Sequence, residues 1–236
     1  MGLNTVRLEG KMPSDVWFDV ADAVGVLVIA GLECCDAWQH WDAWSTDTLE
    51  VGRSSVATLA RQLRIHPSVL AFAYSSDELP PVDVEAAYVE ALQQALWPNP
   101  TIASCSNLTS KLSGATGVKM SGPYNWVPPG YWYLSTPSVV PHGTSSPLGG
   151  AFGFLTEGGP GASPMIPRSW AATVPDNVLM QWPPNATSQA YWDAHCANPQ
   201  GLFGKLDHFS SAMVARYGSL TNTTAHQFLT ASQVAA

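Results

Sequence analysis

The sequence predicts an α/β fold built on a parallel sheet, and within that class a (β/α)8 TIM barrel. Three observations carry this. Short, continuously apolar segments such as Val26 to Ala30 and Val69 to Tyr74 read as strands buried on both faces. Amphipathic segments of helical period separate them. Polar or acidic residues gather where the strands end: Glu9, Glu33 with Asp36, Asp77 with Glu78, Asn107, Tyr124 with Asn125, and Glu157. A doubly wound sheet competes, but its site is a single crevice. Polar groups at six strand ends suit a barrel better.

The expected strands are Leu3 to Leu8, Val26 to Ala30, Val69 to Tyr74, Thr101 to Ser104, Gly117 to Met120 and Ala151 to Leu155. A helix is expected over Asp15 to Val24, with Ser14 as N-cap. Ser54 to Arg64 follows, with Val56, Leu59, Ala60 and Leu63 on one face. Val84 to Leu96 offers Ala87, Leu92 and Ala95 to the core. Leu206 to Tyr217 closes at Gly218, where a left-handed residue is wanted, and a last helix spans Thr224 to Val234. The stretch Tyr124 to Gly150, rich in Pro, Gly, Ser and aromatics, is long for a connection, which points to a functional loop.

At 236 residues and 46% apolar content, one domain over 1–236 is the expectation, with no second domain. A net charge of −8 argues against a nucleic-acid partner and is compatible with a cationic one. The apolar run from Val24 to Leu32 is too short to span a bilayer, so no membrane partner is expected. Three sequons, at Asn107, Asn185 and Asn222, point together to secretion. The expected setting of the four Cys is not a disulfide scaffold: Cys34 and Cys35 read as small buried residues, while Cys105 and Cys196 leave pairing open. Most of the ten Trp are expected in cores, with two or three lining a pocket.

No phosphate-binding loop, dinucleotide fingerprint, HExxH or G-x-S-x-G element occurs. Neither metal nor cofactor is expected. The acids remain. Two carboxylates facing one pocket are the minimal equipment for cleaving a glycosidic bond. Asp77 and Glu78 follow a strand, but a helix N-cap or a surface turn before Pro80-Pro81 explains them too. Glu157 follows a strongly apolar strand, where a buried salt bridge is the plain alternative. Glu9 has Arg7 and Lys11 within reach as simple partners, and Glu33 suits a supporting role.

The chain resembles glycoside hydrolase family 2, and within it the exo-β-D-glucosaminidases. The resemblance rests on Gly2-Leu3-Asn4-Thr5-Val6-Arg7-Leu8-Glu9-Gly10, Gly31-Leu32-Glu33-Cys34-Cys35-Asp36, His66-Pro67-Ser68-Val69, Ser76-Asp77, Gly117-Val118-Lys119-Met120-Ser121-Gly122-Pro123-Tyr124, Val127-Pro128-Pro129-Gly130-Tyr131-Trp132-Tyr133 and Phe152-Gly153-Phe154-Leu155-Thr156-Glu157. It implies Asp77 as acid/base and Glu157 as nucleophile of a retaining exo-glycosidase. Ser76-Asp77 stands where most of the wider clan carries Asn-Glu, a substitution that marks the glucosaminidase branch. The implied substrate-binding set is Glu9, Glu33, Tyr124 and Trp132, with Glu9 taking the 2-amino group of a chitosan oligosaccharide. Neighbouring negative charge is expected to keep the acid protonated. A β-mannosidase-like activity and a non-catalytic carbohydrate-binding fragment are the alternatives.

The resemblance also aligns the first strand with the second strand of the barrel and ends before the eighth. The expected barrel is therefore incomplete, with about six of eight strands, lacking the first and last. Unclosed edges leave backbone groups unpaired. The purified 236-residue chain is accordingly expected to be poorly stable and inactive on chitosan oligosaccharides. Full turnover by that chain would contradict the expectation.

Overall fold

A computed structural model of the chain describes residues 4–9, 11–32, 34, 37–120, 154–158, 164–179, 182–197, 206–218 and 224–235. Two compact units are present, 1–120 with 153–157, and 121–152 with 158–236.

The first unit carries strands β1 (Thr5–Arg7), β2 (Leu27–Gly31), β3 (Val69–Ala73), β4 (Thr101–Ile102), β5 (Thr109–Ser110), β6 (Gly114–Ala115), β7 (Val118–Met120) and β8 (Phe154–Glu157). Its helices are α1 (Asp15–Val24), α2 (Thr46–Leu63) and α3 (Val82–Gln94). Strands β1 to β4 form a parallel sheet in sequence order. Arg7 lies beside Ile29, and Gly31 beside Ala73. Strands β7 and β8 form a second parallel pair, and β5 with β6 a short antiparallel hairpin. The expected α/β class with parallel strands is present. Strands β1, β3, β4 and β7 are shorter than expected, β2 is shifted by one residue, and β8 runs on to Glu157, two residues past its expected end.

Alternation along the strands sorts side chains to two faces. Val28, Ala30 and Phe72 face the helices, against Phe18 and Ala21 of α1, Val56, Ala60 and Leu63 of α2, and Tyr88 and Leu92 of α3. Burying a side chain the size of Phe72 is worth about 1.5–3 kcal/mol. Ile29, Ala71, Ala73, Ile102 and Cys105 form a smaller core on the other face, with Val118 of β7 against it. That core draws on both parallel sheets of the unit.

Helix α1 has its expected bounds, and Gly25 closes it in the left-handed region (φ 74°). Helix α2 begins eight residues earlier than expected, because Ser45 and Thr48 form a reciprocal capping box. Gly52 is tolerated inside it because it sits under Trp44: a Cβ there would lie 3.0 Å from the indole. Gly31 is constrained more tightly. A Cβ at that position would fall 1.8 Å from the Ala73 carbonyl oxygen, so only glycine allows the end of β2 to reach β3.

The second unit carries α4 (Pro167–Thr173), α5 (Asp176–Leu179), α6 (Gln189–Trp192), α7 (Leu206–Tyr217) and α8 (Ala225–Ala235). Trp170, Trp192, Phe209, Met213, Phe228 and Leu229 form its core, and Trp182 stacks on Phe228 at 3.6 Å. The expected helices α7 and α8 are found. Short α4, α5 and α6 have too few turns to show a period in sequence.

The turn before β3 is locked to α1 by one carboxylate. Asp22 accepts from the Ser68 N–H at 2.8 Å and meets His66 Nδ1 at 2.8 Å. The His66 ring is buried and stacks on Phe18. Burial pushes the Asp22 carboxyl up, but its hydrogen bonds with Ser68 and His66 outweigh that and hold it below the ordinary range. A depressed folded-state pKa stabilises the fold above the unfolded pKa, and that contribution is lost as pH falls through the folded one. Replacing Asp22→Asn should cost about 1–3 kcal/mol at neutral pH. It should also weaken the acid-range loss of stability in thermal melts taken as a pH series; an unchanged slope would exclude this role.

Candidate active site

The carboxyl ends of β1, β3 and β8 bring four polar side chains around Arg7. The guanidinium is 10% exposed. Its Nη1 donates to Glu157 Oε2 at 3.1 Å, and its Nη2 to Ser76 Oγ at 2.6 Å. Glu9 Oε1 stands 3.8 Å from Nη2. The Ser76 hydroxyl, bound to Arg7, donates in turn to Asp77 Oδ1 at 3.3 Å. The two acids singled out in the sequence, Asp77 and Glu157, are thus joined through Arg7 and Ser76. Thr156 holds β8 in place by donating to the Cys105 and Lys119 carbonyls, at 2.6 and 2.9 Å.

Asp77 is exposed, while Ser76 beside it is buried, so the strand end turns its carboxylate outward and its hydroxyl inward. Glu9 titrates above the ordinary glutamate range. Partial burial raises it, Arg7 pulls it back, and the charges of Glu157 and Asp77, with a hydrogen bond to Glu157, raise it again.

Below the site, Tyr74 anchors the end of β3. Its hydroxyl donates to Glu85 of α3 at 3.1 Å. Ser110 and Ser113, at the β5–β6 hairpin, each donate to the same buried carboxylate at 2.6 Å. Burial first, with the Glu85 charge, pushes the Tyr74 phenol up to about 12, so it stays a neutral donor.

Cys34 is half-buried and disulfide-bonded, which corrects its reading as a small buried thiol. Its Sγ lies 3.9 Å from Asp77 Oδ2, and its N–H donates to the Glu9 carbonyl at 2.9 Å. Glu33, Tyr124 and Trp132 lie outside the described residues. Among the described residues, Asp19, Asp22 and His66 form the one grouping with metal-ligand spacing. Its Asp22–His66 contact is already used to lock α1. No described helix is long and apolar enough to cross a membrane.

Arg7 is the residue sequence reasoning did not single out for the site. A signal was present: Thr5, Arg7 and Glu9 alternate along one strand, so a cation and an acid project to the same side.

No protein-family model matches the chain. Several curated proteins are similar along most of it. An exo-β-D-glucosaminidase of Streptomyces avermitilis is 35% identical over 95% of this chain and 24% of its own length. One from Amycolatopsis orientalis is 34% identical over 94% of this chain and 21% of its own. The chain thus spans about a quarter of the length of the curated relatives it matches. A solved complex of Amycolatopsis orientalis exo-chitosanase with PNP-β-D-glucosamine superposes with a TM-score of 0.76, at 32% identity, over 99% of this chain and 27% of that one. In sequence and fold the chain is thus a homologue of part of the exo-β-D-glucosaminidases.

Arg7 is the counter-charge that lowers Glu9. Its replacement, Arg7→Met, should move the Glu9 carboxyl titration further up, followed by carbon NMR of the labelled side chain. A titration that stays in place would separate Arg7 from the acid cluster.

Proposed function

We propose that this chain forms part of the catalytic (β/α)8 barrel of a retaining exo-glycosidase, with β1, β2, β3, β4, β7 and β8 as six of its strands. It releases β-1,4-linked glucosamine from the non-reducing end of chitosan oligosaccharides. The observation that carries this is the bridge from Glu157 through Arg7 and Ser76 to Asp77 at the ends of parallel strands. The exo-β-D-glucosaminidase relatives support the substrate class. A disulfide at Cys34 and three sequons, two of them on exposed Asn107 and Asn185, support a secreted protein.

Asp77 donates its proton to the leaving oxygen, then takes one from the water that hydrolyses the glycosyl-enzyme. Glu157 attacks the anomeric carbon. Arg7 pairs with Glu157 and orients it. Glu9 is ionised when it meets the C2 ammonium, and that charge replaces the repulsion from Glu157. An N-acetyl group offers no such charge. Glu33, Tyr124 and Trp132 complete the substrate contacts by ion pairing and stacking.

In the full-length protein, Glu157→Ala should abolish release of glucosamine, while Asp77→Ala should lose roughly 10²–10⁴-fold on chitosan oligosaccharides. Azide should rescue Asp77→Ala with formation of the β-glycosyl azide. The first-formed sugar should be the β-anomer by NMR; an α-product would refute retention.

A second test uses pH. Glu9 binds ammonium only when ionised, and its raised pKa places its protonation above the ordinary glutamate range. KM for glucosaminides should therefore rise as pH falls through the weakly acidic range. Glu9→Gln should raise KM at neutral pH and flatten that trend, while sparing any hydrolysis of mannosides. Equal losses on both sugars would favour the β-mannosidase-like reading.

A further inference from the structure

Gln39 lies between β2 and α2, in a segment given no role so far. Its Oε1 accepts from two donors of one turn, the Ser76 N–H at 2.9 Å and the Asp77 N–H at 3.2 Å. Two backbone N–H groups converging on one atom require an acceptor, which settles which end of the amide faces the turn. Ser76 is 1% exposed, so its N–H has no easy replacement partner in water.

The opposite side of the turn is held through its carbonyls. Ser104 Oγ donates to the Ser76 carbonyl at 2.7 Å, and the Cys105 N–H to the same oxygen at 2.9 Å. Ser75 Oγ closes the turn on the Glu78 carbonyl at 2.5 Å. The carbonyl side is therefore tied to the chain after β4, and the N–H side to Gln39. Remove Gln39 and the Ser76–Asp77 peptide keeps its carbonyl anchors but loses the restraint on rotation about them. The aim of the Asp77 carboxyl is set by this backbone together with the Ser76 hydroxyl, which donates to its Oδ1 at 3.3 Å. Arg7 has Glu157 and Met120 Sδ as further partners, at 3.1 and 3.8 Å, and so does not depend on this turn alone.

We propose that Gln39 is a positioning residue for the general acid, acting through the Ser76–Asp77 backbone. This rests on the assignment of Asp77 as acid/base. It separates Gln39 from the nucleophile side of the site, and that separation can be measured. Cleaving chitobiose needs a proton on its leaving oxygen. Cleaving 2,4-dinitrophenyl β-D-glucosaminide does not, because the phenolate leaves unaided.

In the full-length protein, Gln39→Leu should lower kcat/KM on chitobiose by about 10- to 100-fold, the scale of a misaimed catalytic group, and change the dinitrophenyl substrate by less than about threefold. Gln39→Glu keeps the acceptor and should restore most of the chitobiose rate. It should also move the alkaline limb of the kcat/KM profile to higher pH, because a second negative charge beside Asp77 favours its protonated form. Equal losses on both substrates, or an unmoved alkaline limb in Gln39→Glu, would overturn the proposal. A wild-type protein inert on both substrates would refute the functional reading instead. Amide exchange at Ser76 and Asp77 reports on the turn without turnover: it should quicken at least about tenfold in Gln39→Leu, and unchanged exchange would refute the restraint.

Discussion

One guanidinium holds an acidic site together. Three carboxylates, on Glu9, Asp77 and Glu157, sit at the ends of parallel strands in a chain with only 12% charged residues. Left to themselves they would repel or neutralise each other. Arg7 meets two of them and reaches the third through Ser76, and its planar fork makes those contacts at fixed angles where an ammonium would not. Glu9 is the acid at which the repulsion of its neighbours adds to burial, which raises it above the ordinary glutamate range.

The rest of the first unit serves the direction of that side chain. Small residues on the Arg7-facing side of the sheet, Ala71 and Ala73, keep that core shallow, while the bulk of Phe72 and Phe18 goes to the helix side. Gly31 lets β2 close on β3 without a side chain between them. Glu85 gathers three hydroxyls from β3 and the hairpin, and so fixes the strand end that carries Ser76 and Asp77. Polar atoms inside the fold are thus spent on aligning strand ends, and apolar volume on holding helices to the sheet.

Much of this was legible in the sequence. The parallel α/β class showed in the short apolar runs, because strands buried on both faces have no polar alternation to hide them. The bounds of α1 showed after Ser14, and both strand-end acids stood out against apolar neighbours. The start of α2 did not, since Ser45 and Thr48 act through a local capping geometry and Gly52 looks like a breaker until Trp44 is seen above it. Arg7 looked like a partner for Glu9 alone, because the chain position of Glu157, 150 residues away, gives no sign that they meet. Gln39 gave less sign still: an amide in a polar loop has no pattern, and its value lies wholly in the N–H groups it faces. All eight described Trp pack in cores or against them, so the indoles of the described residues report packing and not a sugar platform.

Cys105 belongs to the inner core beside this site and is 1% exposed, a free thiol whose pKa burial pushes upward. Alkylation needs both access and thiolate, and the native fold withholds both. The thiol therefore serves as a native clock. Its rate of labelling by a small iodoacetamide measures how often the end of β4 opens, at a point flanked by Thr156 on one side and the Ser76 carbonyl on the other. Breathing of the sheet becomes readable by mass, without a dye or an added cysteine.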